Sequence, residues 1–393
     1  MSISSNNSNN RSNKLHHLNL GGIGIGLMQW GTTNIDNKVV NPKGNLSDDV
    51  VREIWKQCRT NNIVFFDTAE GYGGGTSETR ICDVRKWYEE TQLQNDKDKI
   101  QKEMSTVIVA TKFLPTLWRW TKGSFYKSLR GSLQRLNVST IDLYFIHTPI
   151  HPLPIEWFIQ WACDAIDDGL IRYIGISNCN AELVRRAHVV AQKNNKHIEC
   201  NQIMLNLLVW NSPKHQETVK TCQELGIQIA AYSPIGQGLL TDNLTEEKFH
   251  SIRAVKMTGV KYDGELNTLR KEIHRLSVVH NKTMAQVAMN WVRGHGAIPL
   301  VGIRSVTQVN DAQEVLNWSL SNDEIMKLDN LSLGLSLFER PLLRRCMFVI
   351  FISLLQLAYY TEQRYTNLKK KMLYASSWFS SPPARPSQRE HSD

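Results

Sequence analysis

The sequence predicts an α/β fold in which eight parallel strands alternate with helices and close into a (β/α)8 TIM barrel. Short β-branched runs alternate with longer amphipathic segments from residue 48 to about residue 317, which is the pattern of parallel strands joined by crossover helices. The strands lack a Gly-x-Gly-x-x-Gly turn, and no break in composition divides the chain. Both observations favour a closed barrel over an open doubly wound sheet. We place the barrel at residues 18–331.

Seven of the strands are visible as short runs rich in Val, Ile and aromatic residues, and an eighth is expected near the start, in LGGIG or GLMQW. The seven runs are IVFFDT from Ile63, TVIVATK from Thr106, IDLYFIHT from Ile141, YIGISN from Tyr173, ECNQIML from Glu199, IQIAAYS from Ile227 and IPLVGI from Ile298.

The glycine-rich stretch LGGIGIG, residues 20–26, looks like a dinucleotide-binding loop. However, Leu27 occupies the position of the third required glycine, and no helical pattern follows it. We therefore predict a short N-terminal β-hairpin for this stretch.

The helices show the 3.6-residue period of one buried face, as in DDVVREIWKQCRT at residues 48–60. Ser47 can cap this helix, and the acids Asp48 and Asp49 suit the positive end of its dipole. Its buried face is expected to consist of Val50, Val51, Ile54, Trp55 and Cys58.

The composition is that of a globular enzyme, with 41% hydrophobic and 21% charged residues in a chain of 393. The net charge is +9, but residues 344–393 alone hold eight Lys and Arg against three acids. Because this basic tail accounts for much of the surplus and the body lacks an aromatic and basic interleaved surface, we do not expect nucleic-acid binding. The seven cysteines are scattered and odd in number, which indicates free thiols in a reducing compartment.

The two ends are expected to lie outside the barrel. Residues 1–17 are rich in Ser and Asn and predict a disordered arm without a secretory signal, so we expect a cytoplasmic protein, with a plastid as the alternative. Residues 332–393 predict a helical and disordered tail. Its uncharged segment 346–360 is shorter than the roughly 20 residues that span a bilayer. Three explanations stay open for it: a membrane anchor, a helix packed on the barrel or a partner, and an artefact of the gene model.

Polar side chains that are costly to bury gather at the predicted strand ends. Asp67, Lys112 and His147 close the second, third and fourth strands, and Tyr72 lies on the loop after the second. Because functional residues of such barrels lie at the carboxyl ends of the strands, we expect these four to converge. His151 lies at a metal-ligand spacing from His147, but prolines exclude a helix between them, so no metal site is expected.

The chain resembles the aldo-keto reductases, a family of NADPH-dependent barrel enzymes, over residues 18–331. The order and spacing of the matching stretches are those of the family, and the chain looks closest to the plastid and cyanobacterial-like branch that includes pyridoxal reductases. The matching stretches are FFDTAEGYG, VIVATKF, IDLYFIHTP, IGISN, CNQIMLNLL, AAYSPIGQGLL, KTMAQVAMNW and IPLVGIRSVTQ.

The resemblance implies reduction of an aldehyde or ketone, and acid–base chemistry agrees with it. A phenol with its ordinary pKa of about 10 is a sluggish acid at neutral pH. We assign Tyr72 as the general acid and expect Lys112 to lower its pKa, with Asp67 holding Lys112 charged. His147, expected to be neutral, would donate a hydrogen bond to the substrate oxygen.

The resemblance also implies the residues that bind NADPH. Ser177, Asn178 and Gln202 match the residues that hold the nicotinamide carboxamide, and Tyr232 matches the ring that stacks on the nicotinamide. The remaining matches are Ser233, Ile235 and Gly238 at the pyrophosphate, Arg304 and Ser305 at the 2'-phosphate, and Gln308 and Asp311 at the adenine.

The chain departs from the family at two points of the cofactor site. Where many relatives read Thr-Gly-Lys-Tyr, this chain has TDNL at residues 241–244 and lacks a cation, and Ala312 replaces the usual asparagine. We therefore expect a reduced affinity for the cofactor.

Four aromatic residues match loops that wall the substrate pocket in the family, and they suggest a flat or aromatic carbonyl substrate such as pyridoxal. Each of them is equally well explained by packing at the barrel rim. They are Trp30, Phe113, Trp118 and Trp210.

A different class of function is also open. The same barrel resembles the cytoplasmic β subunits of potassium channels, which keep the cofactor and act as sensors. The branch resemblance and the lack of their N-terminal segment favour the enzyme.

Overall fold

The strands close into a barrel in chain order. The computed structural model describes residues 18–31, 46–149, 151–251 and 264–335. Each strand from β1 to β8 pairs in parallel with its neighbours along the chain, and β1 pairs with β8. The strands are β1 Gly24–Gly26, β2 Phe65–Asp67, β3 Ile108–Phe113, β4 Ile141–Ile146, β5 Ile171–Ser177, β6 Ile198–Met204, β7 Gln228–Tyr232 and β8 Ile298–Gly302.

Helices connect the strands on the outside of the barrel, as the sequence predicts. Short turns lie at Met28–Trp30, Tyr72–Gly75, Gly236–Gly238 and Val315–Asn317. The helices of the described residues are α1 Asp48–Thr60, α2 Thr76–Thr91, α3 Lys97–Met104, α4 Lys122–Leu136, α5 Ile155–Asp167, α6 Ala181–Lys193, α7 Pro213–Glu224, α8 Glu246–Ser251, α9 Gly264–His280, α10 Met284–Gly294, α11 Val306–Glu314 and α12 Asn322–Leu331.

Helix α1 begins where the sequence predicts, because the Ser47 side chain accepts a hydrogen bond from the Val50 amide. Four of the five residues expected on its buried face are buried. Val50 is the exception, with 37% of its surface exposed.

The eighth strand lies in the N-terminal stretch where the sequence predicts it, as Gly24–Gly26, but the predicted hairpin is wrong, because this strand is β1 of the barrel and pairs with β2 and β8. The glycines of this stretch make room inside the barrel. A Cβ atom on Gly24 would lie 2.5 Å from a ring carbon of Phe65 and 2.8 Å from a methyl of Leu300. Side chains of the neighbouring strands β2 and β8 therefore fill the barrel interior next to Gly24.

The barrel interior is an apolar cluster separate from the larger core between strands and helices. Since side chains alternate along a strand, the residues two positions further along lie on the same inner face, and these include Asp67, Lys112 and Gln202. The interior cluster consists of Leu18, Leu20, Phe65, Ala110, Leu143, Phe145, Cys200, Ala230 and Leu300.

The predictions about the two ends fall almost wholly outside the described residues. The N-terminal arm 1–17 and the apolar segment 346–360 are not among them, and residues 332–335 are the only described part of the predicted tail. Of the helices in the described ranges, none is both long and apolar enough to cross a membrane. The six cysteines in these ranges are free and buried.

Candidate active site

Asp67 and Lys112 form a buried ion pair at the carboxyl end of the barrel. The Lys112 Nζ lies 2.6 Å from Asp67 Oδ2 and also donates to the Thr68 carbonyl oxygen at 2.8 Å. Exposure is 0% for the Lys112 side chain and 2% for that of Asp67. A buried ammonium needs such a partner, because an unpaired charge in the interior loses its proton.

Tyr72 lies on the loop after β2 and meets the ion pair. Lys112 Nζ donates to the Tyr72 hydroxyl at 3.2 Å and lies 4.7 Å from the centre of its ring. The three glycines that follow Tyr72, residues 73–75, all have positive φ angles of 60°, 61° and 95°. This backbone is nearly free of cost only for glycine, so the GGG run sets the turn that holds Tyr72.

His147 follows β4 directly, with its amide donating to the Phe113 carbonyl at 2.9 Å. Its ring meets the Tyr72 ring edge to face, with 5.9 Å between centroids. The Nδ1 atom is buried and has no hydrogen-bond partner among the described residues. The structure thus brings together all four side chains that the sequence places at the strand ends.

Burial has the largest effect on the pKa of Tyr72. Burial raises the pKa of Tyr72 above its ordinary value, although the Lys112 ammonium acts to lower it. Lys112 thus acts in the expected direction, but the expected net lowering of the Tyr72 pKa is not found.

Two further shifts fix the charges around Tyr72. Burial would lower the pKa of Lys112, but Asp67 and Tyr72 outweigh it and raise the pKa. Burial, with the nearby Lys112 charge, lowers the pKa of His147 to about 3. At neutral pH the site therefore holds a protonated lysine and a neutral histidine.

Polar side chains on β5, β6 and β7 continue the site around the barrel. The Tyr232 hydroxyl donates to Asn178 Oδ1 at 2.8 Å, and the Asn178 amide donates to the His147 carbonyl and the Ser177 hydroxyl, both at 3.0 Å. Gln202 Nε2 donates to Asp67 Oδ1 at 2.8 Å. These amides and the half-buried Tyr232 ring provide the donors, acceptors and flat surface that suit a carboxamide-bearing ring.

The loop after β7 has the conformation of a compact turn, with positive φ at Ser233 and Gly238 among others. The Gly238 amide donates to the Ile235 carbonyl at 3.0 Å. Two outer helices hold the end of this loop. Arg270 of α9 donates to the carbonyl oxygens of Leu239 and Thr241, and Asp242 accepts from the first amide of α10 at 3.1 Å.

Helix α11 begins directly after β8, and its N-terminus lies beside Arg304. Ser305 caps the helix by accepting from the Gln308 amide at 3.3 Å, and the Gln308 side chain accepts from the Arg304 amide at 2.7 Å. Asp311 accepts a hydrogen bond at its carbonyl oxygen from α10. A guanidinium at a helix N-terminus is suited to a phosphate group.

The four aromatic residues expected to wall the substrate pocket have different environments. Trp30 and Phe113 are fully buried at 0% exposure, so they form core and offer no surface to a ligand. Trp210 packs against Trp291 and the His295 ring, which are contributed by the α10 region. Trp118 alone of the four is exposed, at 48%.

Comparison with known proteins gives one family over most of the chain. The model of the aldo/keto reductase family matches residues 22–333. The chain belongs to the aldo/keto reductase family. Among its relatives is the chloroplastic pyridoxal reductase of Arabidopsis thaliana, which is 29% identical over 80% of this chain and 84% of that protein. Probable aldo-keto reductase 1 of Glycine max is 26% identical over 78% of this chain and 84% of that protein.

Solved structures of aldo-keto reductases share the fold. One from Bacillus halodurans, in its holo form, has a TM-score of 0.62 at 20% identity and covers 82% of this chain and 95% of its own. One from Klebsiella pneumoniae, in complex with NADP and acetate, has a TM-score of 0.57 at 20% identity and covers 80% of this chain and 92% of its own.

Sequence reasoning missed two residues of this candidate site, Gly31 and Glu70, and one contact of Gln202. Gly31 packs against the Tyr72 backbone, and the buried Glu70 accepts a hydrogen bond from the Leu114 amide in the loop after β3. Gln202, expected at the nicotinamide, also donates to Asp67. Glu70 lies in the same FFDTAEGYGGG stretch as Asp67 and Tyr72. The position of this acid between Asp67 and Tyr72 could have indicated that Glu70 belongs to the site.

Proposed function

We propose that this chain is an NADPH-dependent oxidoreductase that reduces an aldehyde or ketone to an alcohol, with Tyr72 as the proton donor. The observation that carries the proposal is the contact of the Tyr72 hydroxyl with Lys112 Nζ at 3.2 Å, beside the His147 ring. Family membership and the amide groups on β5 and β6 support the choice of cofactor.

In the proposed reaction, Tyr72 and Lys112 deliver the proton and His147 orients the substrate carbonyl. When bound, NADPH supplies the hydride that adds to the carbonyl carbon. Tyr72 holds at its hydroxyl the proton that the carbonyl oxygen takes up. Lys112 stabilises the phenolate left behind, and the neutral His147 can donate a ring N–H to the same oxygen.

The proposed cofactor residues hold NADPH by the groups that they present to its different parts. Asn178 and Ser177 present amide and hydroxyl groups at the end of β5, and Tyr232 offers its ring beside them. Arg304 and the N-terminus of α11 supply positive charge for the 2'-phosphate. Ser233, Ile235 and Gly238 form the compact turn that would face the pyrophosphate.

The experiment that tests the proposal compares the wild type with Tyr72→Phe in NADPH consumption against a panel of carbonyl compounds. We expect turnover to fall by about 10² to 10⁴ while NADPH still binds, because only the proton donor is removed. A fully active phenylalanine variant would contradict the assignment. Slow wild-type turnover with tightly retained NADPH would instead favour a sensing role.

Pyridoxal is the specific substrate that we propose for this reaction. The support is the similarity to the pyridoxal reductase of Arabidopsis thaliana and the exposed indole of Trp118. Rates measured on pyridoxal and on plain aldehydes test it, and equal rates on all of them would remove the preference. The same relative, which is chloroplastic, supports a plastid as the alternative to the cytoplasm.

A further inference from the structure

Glu70 is a buried carboxylate that joins the loop carrying Tyr72 to the loop after β3. Its Oε1 accepts hydrogen bonds from the Leu114 amide at 2.7 Å and from the Arg119 guanidinium, and its Oε2 accepts from the Ser128 hydroxyl of α4. The Glu70 side chain is 6% exposed. A buried charge with these partners is costly to separate from any of them.

Arg119 folds the loop after β3, residues 114–121, around its guanidinium group. Arg119 Nη1, the atom that donates to Glu70, also donates to the Leu114 carbonyl oxygen at 3.1 Å, and the guanidinium lies 5.4 Å from the centre of the Phe113 ring. The Arg119 amide closes a turn on the Thr116 carbonyl at 2.9 Å. The ion pair with Glu70 therefore fixes both ends of the loop.

His151 holds the other side of the same loop from the segment after β4. Its Nδ1 accepts from the Leu153 amide at 2.9 Å, so the ring proton belongs on Nε2, which lies 3.1 Å from the Thr116 carbonyl and can donate to it. The Trp120 ring lies 5.0 Å from the His151 ring. The loops after β2, β3 and β4 are thus joined into one layer.

This layer presents unusual apolar surface at the carboxyl end of the barrel. Trp118 is 48% exposed and Trp120 is 46% exposed. Trp157, in the first turn of α5, is the third exposed tryptophan of the described residues, at 54%. Exposed indoles on the loop after β3 and at the start of α5 offer apolar, flat surface at the end of the barrel that carries Tyr72.

We propose that the Glu70 and Arg119 pair determines substrate specificity by holding residues 114–121 as the wall against which aromatic carbonyl compounds bind. This inference rests on the proposed carbonyl reduction and extends it to the substrate class. Neither residue touches the reacting atoms, so both are positioning residues. A small aliphatic aldehyde needs only the proposed catalytic residues and the cofactor, whereas a two-ring aldehyde also needs the wall.

The test measures kcat and KM separately for 2-naphthaldehyde and propanal in the wild type, Glu70→Gln, Arg119→Gln and the double variant. We expect the ratio of kcat/KM for 2-naphthaldehyde to that for propanal to fall about tenfold or more in each variant, mainly through KM. The double variant should lose little beyond either single one, because both changes break one interaction. NADPH affinity should stay unchanged.

Arg172→Gln is the matched control. It breaks an ion pair with Asp142, 2.8 Å apart, at the opposite end of the barrel, and the ratio should not move. Hydrogen exchange adds a readout independent of turnover: the Leu114 amide should exchange at least about tenfold faster in Arg119→Gln and not in the control.

Three results would separate the possible failures. An unchanged ratio, or an equal loss on both aldehydes, would overturn the specificity role. If the wild type reduces neither aldehyde nor any other compound of the carbonyl panel, the proposed function fails. In that case, weaker equilibrium binding of 2-naphthaldehyde to Arg119→Gln than to the wild type would still support the wall, and equal binding would overturn it.

Discussion

Lys112 has three ammonium hydrogens, and the site supplies an acceptor for each of them. The acceptors are Asp67 Oδ2, the Thr68 carbonyl oxygen and the Tyr72 hydroxyl. All three donors of the lysine are therefore committed to the protein. This arrangement is consistent with the proposed role of Tyr72 as proton donor, with Lys112 as its electrostatic support.

The environment of His147 predicts a dependence of stability on pH. The unfolded chain takes up a proton on this histidine near its ordinary pKa of about 6.5, whereas the folded pKa is about 3. Between these values the unfolded state binds more protons, so the free energy of unfolding falls as the pH falls. The contribution is fully present above about pH 6.5 and is lost progressively toward pH 3.

We expect the wild type to lose at most about 2 kcal/mol more stability between pH 7 and pH 5 than His147→Gln does. Urea denaturation of both proteins at several pH values measures this difference. Identical pH dependences in the two proteins would show that His147 is not held neutral by the fold.

At the scale of elements, the loop after β1 supports the loop after β2. Gly31 has an ordinary φ of −76°, so a side chain there brings no backbone strain. However, a Cβ atom at Gly31 would lie 2.6 Å from the Tyr72 carbonyl carbon and 2.8 Å from the Gly73 nitrogen. Since contacts this short force one backbone to move, Tyr72 is positioned partly by the absence of a side chain on β1's loop.

Gly31→Ala is therefore expected to lower kcat by about 10 to 100-fold, because a displacement of about 1 Å at a reacting group can cost that much. NADPH binding should be kept. Gly123→Ala is the control, since its Cβ would meet nothing closer than 3.8 Å. The two variants are compared by steady-state kinetics, and full activity of Gly31→Ala would exclude this coupling between the loops.

The sequence predicts well those elements whose side chains show a regular apolar pattern along the chain. Asp67, Lys112 and His147 end runs with clear β-branched character, so their strands and their common edge are readable. The stretch that contains β1 was also predicted to form a hairpin, because the inner position of β1, Gly24, has no side chain and so shows no alternation. Local pattern also cannot separate a buried Trp30 from an exposed Trp118, since the same residue type serves both roles and distant packing decides.

Contacts between distant segments are the other part that the sequence does not reveal. Glu70 finds its partner Arg119 49 residues further along the chain, and Asp67 finds Gln202 135 residues away. Neither pairing has a local signature. Both become visible only when the closed barrel brings the strand ends to one rim.

For the whole molecule, the barrel separates two groups of functional candidates. The proposed proton-delivery residues lie on or just after β2, β3 and β4, and the proposed cofactor residues lie on or just after β5 to β8. The hydrogen bond from Gln202 on β6 to Asp67 on β2 crosses the interior and joins the two groups.

The cofactor half gives the last prediction, which concerns the choice between NADPH and NADH. Arg304 directly precedes the N-cap residue of α11, so it lies beside the positive end of the helix dipole, and its guanidinium Nη1 lies 3.5 Å from Gln29 Oε1. Arg304→Gln should weaken NADPH binding about 10 to 100-fold, since charge-assisted hydrogen bonds are worth about 1.5 to 3 kcal/mol. NADH binding should be unchanged, because NADH has no 2'-phosphate.

Thermal unfolding with each cofactor measures this without turnover. A cofactor present at about 100 times its Kd stabilises the folded state by about 2.7 kcal/mol, so wild type and variant should respond alike to NADH and differently to NADPH. Arg275→Gln, which removes a cation paired with Glu272 on α9, controls for the loss of charge. If Arg304→Gln loses stabilisation by both cofactors equally, the residue holds the fold of the β8 loop and does not read the 2'-phosphate.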